Sequence, residues 1–477
     1  MWAPRRTERS RSARLAGPAS ATIAGLKPHQ PPLADSAVAF DLKAWFARQA
    51  YTLVLRLGTP IYLWRVWSRG REEPDYRARW PERLGFYPGS AGPPSDRGQR
   101  GAWVWVHAVS LGEARAAAPL IAALRAQRPD SRLLLTHTTA TGREAGRALL
   151  LPGDVQTWLP YDTPGAVRRF LRHFQPSVGV LMETEVWPNL QHEARRAGVP
   201  MVLANARLSP KSLRQGQRFA ALLRPAAQVL SVTLAQTESD AERLRAMGAD
   251  PVHVCGNLKF DMTPSPDLLA QGRRWRGADA RPLCLAASTR EGEESGLLDA
   301  WMAAGPAMAS PRPRLLIVPR HPQRFDEVAA LVAQRGLSLS RRSAWPDGQP
   351  DAAALLAEVW LGDSMGEMPA YYAAAAVAWL GGSFAPLGGQ NLIEAAACAC
   401  PLIMGPSTYN FAEVAELSLA AGAAVRVADW PEAVRTALGW LVQGTPTVQA
   451  SALAFARQHQ GASERMASDI RQITLSP

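Results

Sequence analysis

The chain has little cysteine. Its 477 residues include four, Cys255, Cys284, Cys398 and Cys400, and no Cys-x-x-Cys pair. That excludes a zinc ribbon, a redox motif and a disulfide framework. Three of the four sit in apolar runs, where cysteine acts as a small hydrophobe, and a reducing cytoplasm is the natural compartment. No Gly-x-Gly-x-x-Gly follows the first strand-like run, and neither a P-loop nor an Asp-x-Asp occurs. Dinucleotide chemistry, P-loop hydrolysis and a metal-held nucleotide are thereby disfavoured. Catalysis is expected to use no metal and no other cofactor, with arginines and helix dipoles supplying positive field.

Acidic residues are also in deficit. The formal charge is +12, and residues 1–100 carry +9 of it. The remaining body is nearly neutral, so no nucleic-acid partner is expected. A basic, Trp-rich front end suits an anionic membrane surface. Long uncharged apolar runs are missing too. Ala44 to Trp67 is strongly apolar, yet Arg48, Arg56 and Arg65 interrupt it, and a spanning helix needs roughly 20 apolar residues. Gly58 and Pro60 predict a break, giving a broken amphipathic anchor. A tilted span with snorkelling arginines and a helix packed on the protein's own core are the alternatives. Trp45, Trp64, Trp67, Tyr51 and Tyr62 favour the headgroup layer, with Arg69, Arg71, Arg77, Arg79 and Arg83 set against anionic lipid. Residues 1–37 read as a disordered extension or an over-long start, and lack a signal-peptide apolar core.

What is present is α/β alternation. From Ala102, short apolar strands alternate with helical stretches in two sets. The first ends in "VHAVS", "LLLTHTT", "VGVLMETE", "PMVLANARLS", "VTLAQT" and "VHVCGN". The second runs "PLCLAAST", "RLLIVPRHP", "VWLGDS", "VAWLGGS", "PLIMGP" and "AAVRVAD". This predicts two doubly wound parallel sheets. The expected divisions are an extension over 1–37, an anchoring helical segment and lead-in over 38–100, and a first sheet domain over 101–262. A linker over 263–280, a second sheet domain over 281–450 and a C-terminal helix over 451–477 follow. Ligands of such sheets bind beyond the carboxyl ends of the strands, where nearly every polar cluster here lies. That favours an enzyme with its site in the cleft between halves.

Glu113 follows the first strand in "VHAVSLGE". It is either a helix-start residue favoured by the macrodipole or a catalytic base. "LMETEVWPN" carries Glu183 and Glu185, which strand alternation places on one side. Two close carboxylates raise one pKa, although a cap with a structural ion pair fits as well. "ANARLSPKS" offers Asn205, Arg207, Ser209 and Lys211, either for an anionic acceptor or for pairing with those glutamates. "AASTREGEE" sets Ser288 and Thr289 at a helix start, an anion site or a plain capping box. "VPRHP" gives Arg320, a planar anion clamp, and His321. Met365 in "GDSMGEM" is available to stack on a base. In "GGSFAPLGGQNLIEAAA", Gly381, Gly382, Gly388 and Gly389 permit close backbone approach. Asn391 lies near a helix start, and Glu394 one turn on is suited to ribose hydroxyls. Pro119, inside the helix after Glu113, predicts a kink.

In order, "HAVSLGE", "METEVWPN", "ANARLS", "GNLKFD", "STREGEE", "VPRHPQRF", "GDSMGEM", "GGSFAPLGGQNLIE" and "MGPSTYNF" resemble the 3-deoxy-D-manno-octulosonic acid (Kdo) transferase family of lipopolysaccharide assembly. "RGREEPDYRARWPERLGFY" resembles it as well, and the likeness runs from about Phe40 to about residue 470. It implies a GT-B fold, two Rossmann-like doubly wound domains facing a cleft, with an N-terminal membrane-associated helical segment. It implies an inverting glycosyltransferase that moves Kdo from CMP-Kdo, a substrate, to the lipid A precursor lipid IVA. The implied place is the cytoplasmic face of the bacterial inner membrane, against anionic lipid.

Under the resemblance Glu113 is the general base and Glu185 a second catalytic carboxylate. Glu183, Asn205 and Arg207 face the acceptor. Ser288, Thr289, Arg320, His321, Met365, Gly388, Gly389, Asn391 and Glu394 hold the donor. Arg290 and Gln390 stand where the family usually has histidine, which puts donor affinity in question. The rivals are a GT-B transferase or epimerase using a uridine nucleotide sugar, such as a lipid A disaccharide synthase, and a basic membrane-bound scaffold with an inactive fold.

Overall fold

The computed structural model describes residues 41–87, 103–305, 308 and 310–475. The expectation for residues 1–37 falls outside them. Two seven-stranded sheets, parallel throughout, organise the chain. The first contains β1 (Trp103–His107), β2 (Arg132–His137), β3 (Val155–Trp158), β4 (Val178–Met182), β5 (Met201–Ala206), β6 (Val232–Ala235) and β7 (Val252–Val254). Its order is β3-β2-β1-β4-β5-β6-β7. The second contains β8 (Leu283–Thr289), β9 (Arg314–Pro319), β10 (Leu339–Arg341), β11 (Val359–Leu361), β12 (Val377–Leu380), β13 (Leu402–Met404) and β14 (Ala424–Arg426). Its order is β10-β11-β9-β8-β12-β13-β14.

Each sheet is buried on both faces, which explains why its strands read as continuous apolar runs. In β1, Val104 and Val106 enter one core while Trp103 and Trp105 enter the other. In β8, Leu283 and Leu285 face one core, Cys284 and Ala286 the other. This is a two-domain GT-B architecture. Strand order reverses at β1/β4 in the first sheet and at β8/β12 in the second, and the crevice outside such a reversal is where doubly wound folds bind ligands.

Three expectations about the chain's course change. The segment 263–280 carries a helix, Pro266–Ala278, whose Trp275 is fully buried in the second domain's core. The end of the chain forms two helices, Pro446–Gln458 and Ala462–Leu475, separated at Gly461, whose φ is +90°. The last helix returns to the first domain, where Met466 and Ile470 pack with Leu120 and Leu124. Asp261 caps it, accepting from the backbone N–H of Gly461 at 2.6 Å.

The N-terminal helix is unbroken from Leu42 to Arg69 despite Gly58 and Pro60. Tertiary contacts on both sides of Pro60 override its local cost. Tyr51 donates to Asp162 at 3.0 Å and Thr52 to Asn189 at 3.1 Å. Beyond the proline, Tyr62 packs edge-on against Tyr161 and Val66 is buried. The other face is bare: Leu53, Val54, Leu57, Ile61 and Trp64 are each more than half exposed. Tyr51 and Arg83 turn inward, and Arg83 is fully buried. No helix among the described residues is long and apolar enough to cross a membrane.

Candidate active site

Glu113 sits in the first turn of the helix Leu111–Gln127, which Ser110 caps. Its carboxylate accepts from the Val109 backbone N–H at 2.8 Å and from the Ser110 hydroxyl at 3.2 Å, while the Ser110 oxygen accepts from the Glu113 N–H at 3.4 Å, a capping box shifted by one residue on its carboxylate side. The cap is half the story. Burial pushes the Glu113 carboxyl up to about 7, Glu183 and Glu185 add like-charge repulsion, and the Val109 and Ser110 bonds only partly oppose them. The helix-start role and a titrating acid near neutrality therefore coexist on one side chain. The helix continues through Pro119.

Glu183 and Glu185 come from the other side of the reversal. They do not share a strand face, because β4 ends at Met182 and both lie in the turn beyond it. Glu183 is buried with φ at +57°, and Arg207 pairs with it at 2.8 Å. Burial, with Glu183 as a neighbour, raises Glu185. Asn205 and Ser288 likewise take positive φ, +51° and +57°, at the ends of β5 and β8. Such strain in non-glycine residues gathers at functional sites. Asn205 itself is fully buried, and its side-chain oxygen accepts from the Leu258 N–H at 3.1 Å. It fixes the site's floor and presents no surface to an acceptor. Ser209 caps the helix Pro210–Arg218, and Lys211 is exposed on that helix.

A cleft of about 520 Å³ opens beside the start of the Glu113 helix, and Glu113, Glu183 and Glu185 do not line it. Gly112 and Arg115 from the first domain and Lys259 from the junction line one side; Ser288, Arg320, Met365, Tyr372, Asn391 and Glu394 line the other. Burial raises Glu394, and Arg115 and Arg320 pull against that. Burial lowers Lys259, which Glu183 opposes, and its ammonium lies 5.0 Å from the Phe411 ring centre.

The remaining donor candidates have other duties. Thr289 is fully buried and donates to Glu294 at 2.6 Å. That same carboxylate grips Arg324 at 2.6 and 2.9 Å. At the start of the helix Glu293–Ala304, the Glu293 carboxylate ties down neighbouring loops, accepting from the N–H groups of Arg290 (2.8 Å), Gly382 (2.7 Å) and Phe384 (3.0 Å). Gly381 is small because its neighbour is protein: a Cβ there would stand 2.2 Å from the Ser288 carbonyl oxygen. At Gly388 a Cβ would strike Asn410 at 2.5 Å. Gly389 donates to the Gly382 carbonyl. His321, Gly388 and Gly389 do not line the cleft. Arg290 instead pairs with Glu291 at 3.0 Å, while Gln390 is at the cleft wall.

Reading the sequence missed Arg115 and Lys259. Arg115 was detectable as the next cation after Glu113, and Lys259 stood inside the "GNLKFD" block, to which no role was assigned.

Comparison with known proteins meets this geometry. Residues 78–262 match the family model described as 3-deoxy-D-manno-octulosonic-acid transferase (kdotransferase). A 3-deoxy-D-manno-octulosonic acid transferase of Bordetella pertussis is 47% identical over 435 residues, covering 88% of this chain and 97% of the relative. The chain belongs to the Kdo transferase family. A Haemophilus influenzae enzyme of the same name is 34% identical over 368 residues, covering 76% of this chain and 83% of its own. This Kdo transferase family member is thus a glycosyltransferase, with Glu113, Glu183 and Arg207 all inside the matched region. For fold alone, a UDP-GlcNAc 2-epimerase from Neisseria meningitidis superposes with a TM-score of 0.51 at 16% identity. It covers 79% of this chain and 100% of that one.

Proposed function

We propose that the protein transfers Kdo from CMP-Kdo to the lipid A precursor lipid IVA in lipopolysaccharide biosynthesis, with inversion at the anomeric carbon. The observation that carries the reading is the acidic trio of Glu113, Glu183 and Glu185 at the β1/β4 reversal, set beside a cleft lined by Arg115, Arg320, Asn391 and Glu394. Glu113 is the general base. An acid titrating near 7 is matched to proton abstraction at neutral pH. The acceptor hydroxyl oxygen attacks the anomeric carbon and its proton passes to Glu113. The bond from that carbon to the phosphate oxygen breaks on the opposite face, and CMP leaves with the electron pair. One displacement inverts the centre and needs no glycosyl-enzyme.

Arg207 and Glu185 orient the acceptor, while Glu183 is held by Arg207. In the second domain Arg320 faces the phosphate, Met365 stacks on the base and Glu394 receives the ribose hydroxyls. CMP-Kdo is a substrate here, and no metal takes part. The exposed apolar face of the helix Leu42–Arg69 lies in the headgroup layer of an anionic bilayer, at the cytoplasmic face of the inner membrane. Apolar area and basic flanks together drive such binding.

Calorimetric titration with CMP, UMP and UDP tests the donor assignment. CMP is expected to bind at least tenfold more tightly than UMP. Tight UMP binding with none of CMP would overturn the reading in favour of a uridine nucleotide sugar.

A further inference from the structure

A second cavity, of about 350 Å³, lies under the N-terminal helix at the carboxyl ends of β2 and β3. Val54, Leu55 and Tyr62 of the helix form one wall, Leu159 and Tyr161 after β3 another, and Arg83 lines it too. Val54 and Tyr62 are 67% and 45% exposed, so the cavity meets the helix's bare apolar face.

Its polar end is unusual. Arg83 is 1% exposed, yet among the described residues it forms no ion pair, and its Nε and one Nη make no hydrogen bond. The Tyr161 hydroxyl beside it is likewise unpartnered. The preceding carboxylate is spent elsewhere, since Glu82 accepts from the Thr157 hydroxyl and the Trp158 N–H. The Arg83 guanidinium lies over aromatic faces, Trp158 at 3.8 Å and Tyr76 at 5.9 Å, and a second cation, Arg143, shares the Trp158 ring at 5.0 Å. Buried charges are normally paired, and guanidinium is well suited to a phosphate. The one carboxylate in the lining, Asp162, is taken by the Tyr51 hydroxyl and the N–H groups of Asn189 and Leu190, so among the described residues no anion pairs with the buried Arg83 cation.

We propose that this cavity is a lipid site, taking an acyl chain against Val54, Leu55 and Leu159 and its phosphate on Arg83 and Tyr161. Two sources carry that chemistry, the phosphate-bearing acceptor lipid and a bilayer phospholipid. Only the first rests on the function proposed above.

The test uses the full chain and dodecyl phosphate below its micellar concentration, read by thermal denaturation. A ligand that binds only the folded state raises Tm, here by roughly 2 °C or more at saturation. Dodecanol at the same concentration is expected to do markedly less. Gly58 also lines the cavity, and a Cβ there meets nothing within 4 Å. Gly58→Leu fills the space while favouring the helix, and is expected to weaken dodecyl phosphate at least tenfold. Arg83→Met is expected to do the same; should it fail to fold, Gly58→Leu carries the test alone.

A raised acceptor KM in Gly58→Leu identifies the acceptor as the source, and an unchanged KM identifies a bilayer phospholipid. Equal binding of dodecyl phosphate to wild type and Gly58→Leu overturns the proposal, as does equal binding of dodecanol and dodecyl phosphate. Absence of Kdo transfer by the unmodified protein strikes the proposed function alone, because the thermal measurement does not depend on turnover.

Discussion

The Glu113 carboxylate accepts a hydrogen bond at 2.8 Å from the backbone N–H of Val109, four residues upstream. That bond links a helix cap to a carboxyl group held near neutrality, and it separates two kinds of substitution. Glu113→Gln retains an oxygen for the Val109 N–H but cannot take a proton. Transfer is expected to fall roughly 10²–10⁴-fold with little change in the urea midpoint. Glu113→Ala is expected to lose the same rate and about 0.5–2 kcal/mol of stability with the cap. Initial rates and urea titrations of both variants check this.

The pH dependence follows from the same group. Its folded pKa is about 7, raised from 4.5. The base form grows as pH rises through 7, so kcat/KM is expected to climb there and level off above. Stability runs the other way. A raised carboxyl favours the folded state fully below about 4.5, and that contribution is lost as pH rises toward 7. In Glu113→Gln both trends are expected to flatten; a wild-type stability slope in the variant would remove Glu113 as their source.

Thr289 and Arg324 test the division between donor site and scaffold. Both bind the buried Glu294 carboxylate. Arg324→Met strands that charge and is expected to cost about 3–5 kcal/mol. Thr289→Val removes one of its bonds, for about 1 kcal/mol, and leaves donor KM within twofold. A tenfold rise in donor KM for Thr289→Val would return it to the donor site.

Arg320 lines the cleft and acts on Glu394. Arg320→Met removes a charge-assisted contact of about 1.5–3 kcal/mol. Donor KM is therefore expected to rise roughly tenfold or more, with acceptor KM unchanged. Under the proposed function arginines supply the positive field, and turnover is expected to persist in EDTA.

The helix face is tested by Leu57→Asp with Trp64→Asp, at positions 70% exposed. The pair is expected to abolish sedimentation with anionic vesicles while leaving CMP binding intact. Retained sedimentation would place the contact elsewhere.

Twelve strands were legible because both faces of each sheet are buried, which writes them as apolar runs. The two missed, β3 and β10, are edge strands, as are β7 and β14, which were read from the valines they carry. In β3 and β10, Gln156 and Arg341 are only half-buried, so neither strand forms an apolar run. Glu113, Glu183 and Arg320 could be singled out as candidates because each follows the carboxyl end of a strand. Thr289 and Gly388 stayed ambiguous because a hydroxyl at a strand end, or a glycine in the loop beyond one, serves ligand and scaffold alike. Only tertiary partners, Glu294 and Asn410, decide between them. The unbroken helix through Pro60 was illegible for the same reason: Asp162 and Asn189, which hold it, lie over a hundred residues away.

Mass spectrometry of the lipid product from purified protein, CMP-Kdo and lipid IVA tests the central claim most directly. The account expects lipid IVA to gain the mass of Kdo with wild type and to stay almost unmodified over the same interval with Glu113→Gln. Unmodified lipid with wild type, or equal conversion by the variant, would contradict it.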